Sequence, residues 1–242
     1  MTNAIRFRLS GRIAHFLRAE AGVTALSYPI PTRTVMLGII GAVLGLEKDT
    51  PQALLEPFQI AVSGKAPLTH WHRVKLRKDP PAALPLVIKK TQKRNVATRT
   101  ERASLIVQEW LINPGYDAWA ILPEPFHSEF ESRLRKRRWH FQPSLGLSEM
   151  MAELEYIALE PAKKLVKAVY PVNSVINQEH AEVELKELYE NRLSIQLLRM
   201  PRMVTPERVF THATYLYETQ VRPVPIKTSE AYSIGDKVVM FL

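Results

Sequence analysis

Between Tyr28 and Leu46 the chain reads Tyr-Pro-Ile-Pro-Thr-Arg-Thr-Val-Met-Leu-Gly-Ile-Ile-Gly-Ala-Val-Leu-Gly-Leu, a proline-stiffened lead-in followed by an apolar, glycine-spaced run with one charge. Pro29 and Pro31 hold the approach extended, so a helix starts only after them. Thr32 is placed to cap it, and Arg33 and Thr34 fall in a first turn whose free backbone N–H groups suit a phosphate. The run from Thr34 to Leu46 is apolar on nearly every face, with Gly38, Gly41 and Gly45 spaced to let another backbone approach. Such a helix is expected to be buried against a sheet. It is short of the ~20 residues a bilayer span needs. The first residues, with Arg6, Arg8 and Arg12 among them, lack a signal peptide's apolar core. A soluble, cytoplasmic protein without membrane association is expected.

The chain has 242 residues, 46% of them hydrophobic, which suits one large domain or two small ones around a real core. With no cysteine there is no disulfide, thiolate metal site or cysteine nucleophile. The formal net charge is +9, which favours polyanionic partners if the charge is concentrated. It is concentrated. From Arg73 to Arg102 there are ten basic residues (Arg73, Lys75, Arg77, Lys78, Lys89, Lys90, Lys93, Arg94, Arg99 and Arg102) against Asp79 and Glu101. Leu68 to Lys78 alternates as a strand with Trp71, Arg73, Lys75 and Arg77 on one face, Asp79-Pro80-Pro81 ends it, and a return strand starts near Pro85. An exposed basic hairpin of this kind can track a nucleic-acid backbone, the alternative being a solvated loop.

Elsewhere, Ala4 to Leu9 alternates as a half-buried strand, Phe58 to Ser63 reads as another, and Glu109 to Ile121 reads as a strand or strand pair around the Asn113-Pro114-Gly115 turn. A helix opens at Pro123 or Pro125 and ends in Arg133, Arg135, Lys136, Arg137 and Arg138, a cluster that suits either the helix dipole or RNA. Pro143-Ser144-Leu145-Gly146-Leu147 forms a glycine turn before a helix or strand holding Met151, Leu154 and Ile157. Short strands follow over 165–171, 183–188, 193–198 and 209–217, with a last pair about Gly235-Asp236. Two strand-helix-strand units and a β-rich remainder predict an α+β protein. Residues 1–162 form a ferredoxin-like, RRM-like domain with a hairpin at about 70–103, and 163–242 form a small C-terminal β domain.

Three segments stand in a telling order: Gly11 to Phe16 with Pro29 to Leu46, the basic excursion closed by Asn113-Pro114-Gly115-Tyr116, and Pro143 to Ser148. Together they resemble the CRISPR-associated family-5 subunit of the RAMP superfamily, and Ser27 to Thr34 looks closest to type I-B members. The resemblance implies a non-catalytic RNA-binding subunit of a type I Cascade effector. It would cap the 5′ handle of the crRNA and bridge the large subunit to the first backbone subunit, meeting target DNA only through the complex. The basic excursion would be the family's thumb. Contacts to RNA are then expected from Lys89, Lys90, Lys93, Arg94 and Arg99, from Arg18, Arg33, Thr34, Trp71, Arg73 and Lys75, and from Ser144 and Gly146. His15 and Tyr28 are secondary candidates, His15 being more suited to core packing.

Some members of that family cut repeat RNA without metal, using a tyrosine in the first helix and a lysine beside a histidine. Arg33 to Leu46 has no tyrosine and the chain has no Lys-His pair, which demotes self-processing, since 2′-hydroxyl attack needs a positioned base and acid. An endoribonuclease and a stand-alone RNA-binding protein remain the alternatives. His70 and His72 share a strand face without an evident third metal ligand. Trp71 suits base stacking or packing on a neighbouring subunit. Glu179, Glu182, Glu184, Glu187 and Glu190 suit a solvated face or a dock for a basic protein. No Walker loop, dinucleotide fingerprint or zinc motif occurs, so no cofactor or metal is expected.

Overall fold

The computed structural model describes residues 2–18, 24–77 and 103–242. Strands β1 Thr2–Ser10, β2 Ile13–Ala14, β3 Phe16–Leu17, β4 Thr24–Ala25 and β5 Ser27–Tyr28 lead to helix α1, Arg33–Leu44, and the short α2, Pro51–Leu54. β6 Gln59–Ser63, β7 Leu68–Arg77, β8 Ala103–Ile112 and β9 Gly115–Ile121 precede helix α3, Phe126–Lys136, and β10 Glu153–Lys164. Then come β11 Ala168–Val172, β12 Ile176–Asn177, β13 Glu182–Val183, helix α4 Leu185–Glu190, β14 Ile195–Val204 and β15 Phe210–Glu218. β16 Val224–Thr228, β17 Ala231–Ile234 and β18 Lys237–Met240 complete the chain.

The main sheet runs β18-β17-β10-β1-β9-β6, antiparallel throughout. Alternation in β1 decides its two faces. Ile5, Phe7 and Leu9 join Tyr116, Ala118 and Ala120 of β9 in the larger core under α1 and α3, where Phe7 meets Phe130 edge to face at 5.4 Å. The opposite face buries Ala4, Ala61, Trp119, Ile121, Ile234 and Val239. That second core is possible because the sheet curls until its edges nearly meet. The Leu242 N–H donates to the Ile60 carbonyl at 2.8 Å, the Asn173 N–H to Val238 at 2.7 Å, and the Val175 N–H to Val62 at 2.8 Å.

The division expected at residue 162 therefore falls inside β10, and the final hairpin about Gly235 completes the first sheet. The turn at Asn113-Pro114-Gly115 is not a hairpin turn: β8 pairs with β7, whereas β9 pairs with β1 and β6, so the chain passes from one sheet to another there. The segment 183–188, expected as a strand, is mostly α4, and β16 lies where no strand is expected from the sequence.

Helix α1 starts and stops as its sequence dictates. Thr32 Oγ1 accepts from the Val35 N–H at 3.3 Å, and Gly45 takes the left-handed conformation at φ 79° that ends the helix. Gly41 lies against Pro51, where a Cβ would come within 2.5 Å of the proline ring. The expectation of an all-round buried helix fails at Gly38, which is exposed and faces open space.

Candidate nucleic-acid interface

β7 and β8 form a ten-pair antiparallel ladder, from Leu68 opposite Ile112 to Arg77 opposite Ala103. The side-chain period of two puts Trp71, Arg73 and Lys75 on one exposed face, with Trp71 52% accessible. On the other face His72 stacks on Trp110 at 3.9 Å, so this histidine is engaged with an aromatic ring. Among the described residues no three His, Asp or Glu side chains gather as a metal site. Lys89, Lys90, Lys93, Arg94 and Arg99 lie outside the described residues.

The ladder is anchored at its base by three distant segments. His15 is 3% exposed and its Nδ1 donates to the Glu109 carbonyl at 2.8 Å, while the Glu109 carboxylate accepts from the Ser27 N–H at 3.0 Å. The His15 N–H donates to the Leu145 carbonyl at 2.9 Å. Next to it Gly146 has φ 113° and passes so close that a Cβ there would sit 1.9 Å from the His15 carbonyl oxygen. Ser144 bridges to Met151 at the root of the same turn. His15, Ser144 and Gly146 thus lie together, with His15 as a buried hydrogen-bonded post.

Arg18 donates through Nε to the Ser27 carbonyl at 3.0 Å and lies over the Tyr28 ring at 5.3 Å, half-buried. Tyr28 is 2% exposed and its hydroxyl donates to the Arg199 carbonyl at 3.0 Å. The Tyr116 hydroxyl donates to the Pro29 carbonyl at 2.7 Å, and burial, aided by Tyr217, pushes its pKa well above the usual tyrosine value. These two tyrosines act as structural donors.

The largest difference from expectation is Arg33. The sequence pointed it at a phosphate beside the helix N-terminus, but the residue is 5% exposed and its guanidinium turns inward. Nη2 pairs with Glu56 at 2.6 Å and donates to the Phe58 carbonyl at 2.9 Å, and Nη1 donates to the Arg202 carbonyl at 3.3 Å. Thr34 stays half-buried beside it, its hydroxyl 2.9 Å from that of Thr32. Proximity to a helix terminus gives no information about burial, so nothing in the local sequence distinguishes a clasp from a phosphate ligand. The sequence gives no sign of Glu109 and Trp110 as supports of the ladder, because the partners of Glu109 lie far away along the chain and Trp110 meets His72 only across the paired strands.

A model of the family described as CRISPR-associated protein (Cas_Cas5) matches residues 4–225. No curated protein matches by sequence. A chain from a solved CRISPR RNA-guided surveillance complex is similar with a TM-score of 0.52 at 15% identity, covering 90% of this chain and 91% of that one, and shares its fold. A CRISPR protein from Archaeoglobus fulgidus reaches a TM-score of 0.48 at 12% identity over 97% of each chain. A chain of a Type III-B Cmr-beta complex bound to cognate target RNA reaches 0.45 at 12%, over 92% of this chain and 86% of that one.

Proposed function

The chain belongs to the CRISPR-associated protein family matched over residues 4–225, and from that premise we propose that it is a non-catalytic RNA-binding subunit of a cytoplasmic type I Cascade effector. It caps the 5′ handle of the crRNA and bridges the large subunit to the first backbone subunit. The lead-in Ser27 to Thr34 favours a type I-B complex. The order β10-β1-β9-β6 with α1 and α3 between its strands is the arrangement expected of a ferredoxin-like unit and supports that fold. The residues from β11 to β16 form the smaller β-rich part of the chain.

One observation carries the proposal: the β7–β8 ladder displays Trp71, Arg73 and Lys75 on an exposed face and leads into the most basic stretch of the chain. Cations alternating with an aromatic along a strand suit a single-stranded backbone and its bases. The thumb is this ladder with the residues it connects. Handle contacts come from its exposed face together with Arg18, Thr34, Ser144 and Gly146. A self-processing endoribonuclease is disfavoured, because His15 and Tyr28 are buried and bonded to carbonyls.

Charge reversal at Lys89, Lys90, Lys93 and Arg94 tests the thumb. Binding of labelled repeat RNA should weaken, and its salt slope should fall by about 0.7 for each phosphate that the variant no longer neutralises. An unchanged slope would overturn the assignment.

A further inference from the structure

The C-terminal end of α3 carries a feature that capping does not use. Arg133 and Arg135 are paired along the helix with Glu129 and Glu131. Lys136, Arg137 and Arg138 are exposed and have no ion-pair partner among the described residues. The helix dipole accounts for cations in the last turn, which ends at Lys136. It does not account for Arg137, which sits at φ 50° and ψ 47° in the left-handed position where helices usually place glycine. Arg192 and Arg208 share that conformation, and what sets Arg137 apart is that its exposed charge stands between those of Lys136 and Arg138.

The segment is also held rigidly. The Arg138 N–H donates to the Arg133 carbonyl at 3.0 Å, the His140 N–H to Val43 at 3.1 Å and the Phe141 N–H to Ala42 at 3.0 Å, while Trp139 packs against the larger core. His140 meets Phe141 edge to face at 4.5 Å, and Phe141 is 54% exposed. Beside Phe141 lies an open groove of about 520 Å³ whose charged lining is balanced, Glu47 and Asp49 against Lys48 and Arg208, with Arg208 paired to Asp49 at 2.9 Å. Nothing lies within 4 Å of where a Gly38 side chain would begin.

We propose that Lys136, Arg137 and Arg138, with Phe141 and its groove, form a second single-stranded nucleic-acid site, separate from the handle contacts. The three cations take consecutive phosphates and Phe141 offers its ring to a base. An exposed aromatic beside a groove favours an unpaired strand over a duplex, and over an acidic protein surface, which would leave the ring and groove unused. The shared chemistry is a polyphosphate backbone with unstacked bases, and either guide RNA or target DNA supplies it.

The test uses the full chain and labelled oligo(dT) and oligo(U) of equal length, which lack handle sequence, read by anisotropy across a salt series. Arg137→Gly should lower the salt slope by about 0.7 while the melting temperature holds or rises. Lys136→Glu with Arg138→Glu should lower the slope by about 1.4, and Phe141→Ala should weaken binding about tenfold. A preference for oligo(dT) identifies target DNA as the source, and one for oligo(U) identifies RNA. If neither oligonucleotide binds, or if all variants bind as the parent does, the second site is overturned. If oligonucleotide binding is lost only on charge reversal at Lys89, Lys90, Lys93 and Arg94, the strand lies on the thumb, and the inference fails while the capping proposal stands. Patch-dependent oligonucleotide binding without repeat-RNA binding would overturn capping and leave this site intact.

Discussion

Arg33→Met removes a cation that the fold uses internally, and it should cost stability without touching the RNA. The hydrogen bond from Nη2 to the Phe58 carbonyl at 2.9 Å is well formed and that from Nη1 to Arg202 at 3.3 Å is long, so together they contribute about 2–4 kcal/mol as bonds from a charged donor. The Glu56 partner is 41% exposed, which limits the ion pair to about 0.5–1 kcal/mol. The guanidinium also lies 5.2 Å from the Phe58 ring, worth about 0.5–1 kcal/mol. Methionine recovers much of the apolar contact and avoids the cost of burying a charge, so the net loss is about 3 kcal/mol. For a chain of 242 residues this lowers the melting temperature by about 6–12 °C. Calorimetry reads the shift, and a salt series with repeat RNA at a temperature where the variant is folded reads the phosphate count. An unshifted transition together with a slope smaller by about 0.7 would refute the clasp and return Arg33 to the phosphate.

Gly146→Ala forces a Cβ toward the His15 carbonyl at a backbone angle that alanine disfavours; strain and loss of the bond from the His15 N–H should cost about 2–4 kcal/mol in urea unfolding. An unchanged midpoint would mean that the 144–146 turn does not pack on the His15 backbone. Burial holds the His127 pKa below its usual value against the pull of Glu124 and Glu131, and Nδ1 accepts from the Leu122 N–H at 3.3 Å. Full stability is present above the unfolded pKa of about 6.5 and declines below it as the unfolded chain takes up the proton first, levelling off below the folded pKa. His127→Asn should flatten that decline in melts between neutral and acidic pH, and an unaltered pH profile would remove His127 as its source.

Local pattern made several elements legible. The alternation of Ala4 to Leu9 and of Leu68 to Lys78, the proline and threonine signals before α1, and the glycine turn before β10 are written in consecutive residues, and among the described residues those elements form where the pattern places them. Pairing is not local. Asn113-Pro114-Gly115 marks a turn, but whether the flanking strands pair depends on β7 and β1, neither of which the turn encodes. The same holds for the return of Ala231 to Met240 to the first sheet, which is fixed by contacts such as Ile234 opposite Ala162. Within the candidate site, the exposed face of β7 follows from its period of two. The inward turn of Arg33 toward Glu56 and Arg202 does not, because a basic side chain reads alike whether it meets a phosphate or a carbonyl. The left-handed turn at Arg137 that ends α3 is likewise unmarked in the sequence, where no glycine stands, and only the backbone reveals it.

The central claim is tested most directly by incubating the purified chain with end-labelled repeat RNA in EDTA, then resolving bound and free RNA on a native gel and the products on a denaturing gel. A capping subunit should shift the RNA and leave it intact, with tighter binding when the 5′ handle is present. One discrete cut leaving a short 5′ handle would contradict the account and make this chain the processing enzyme.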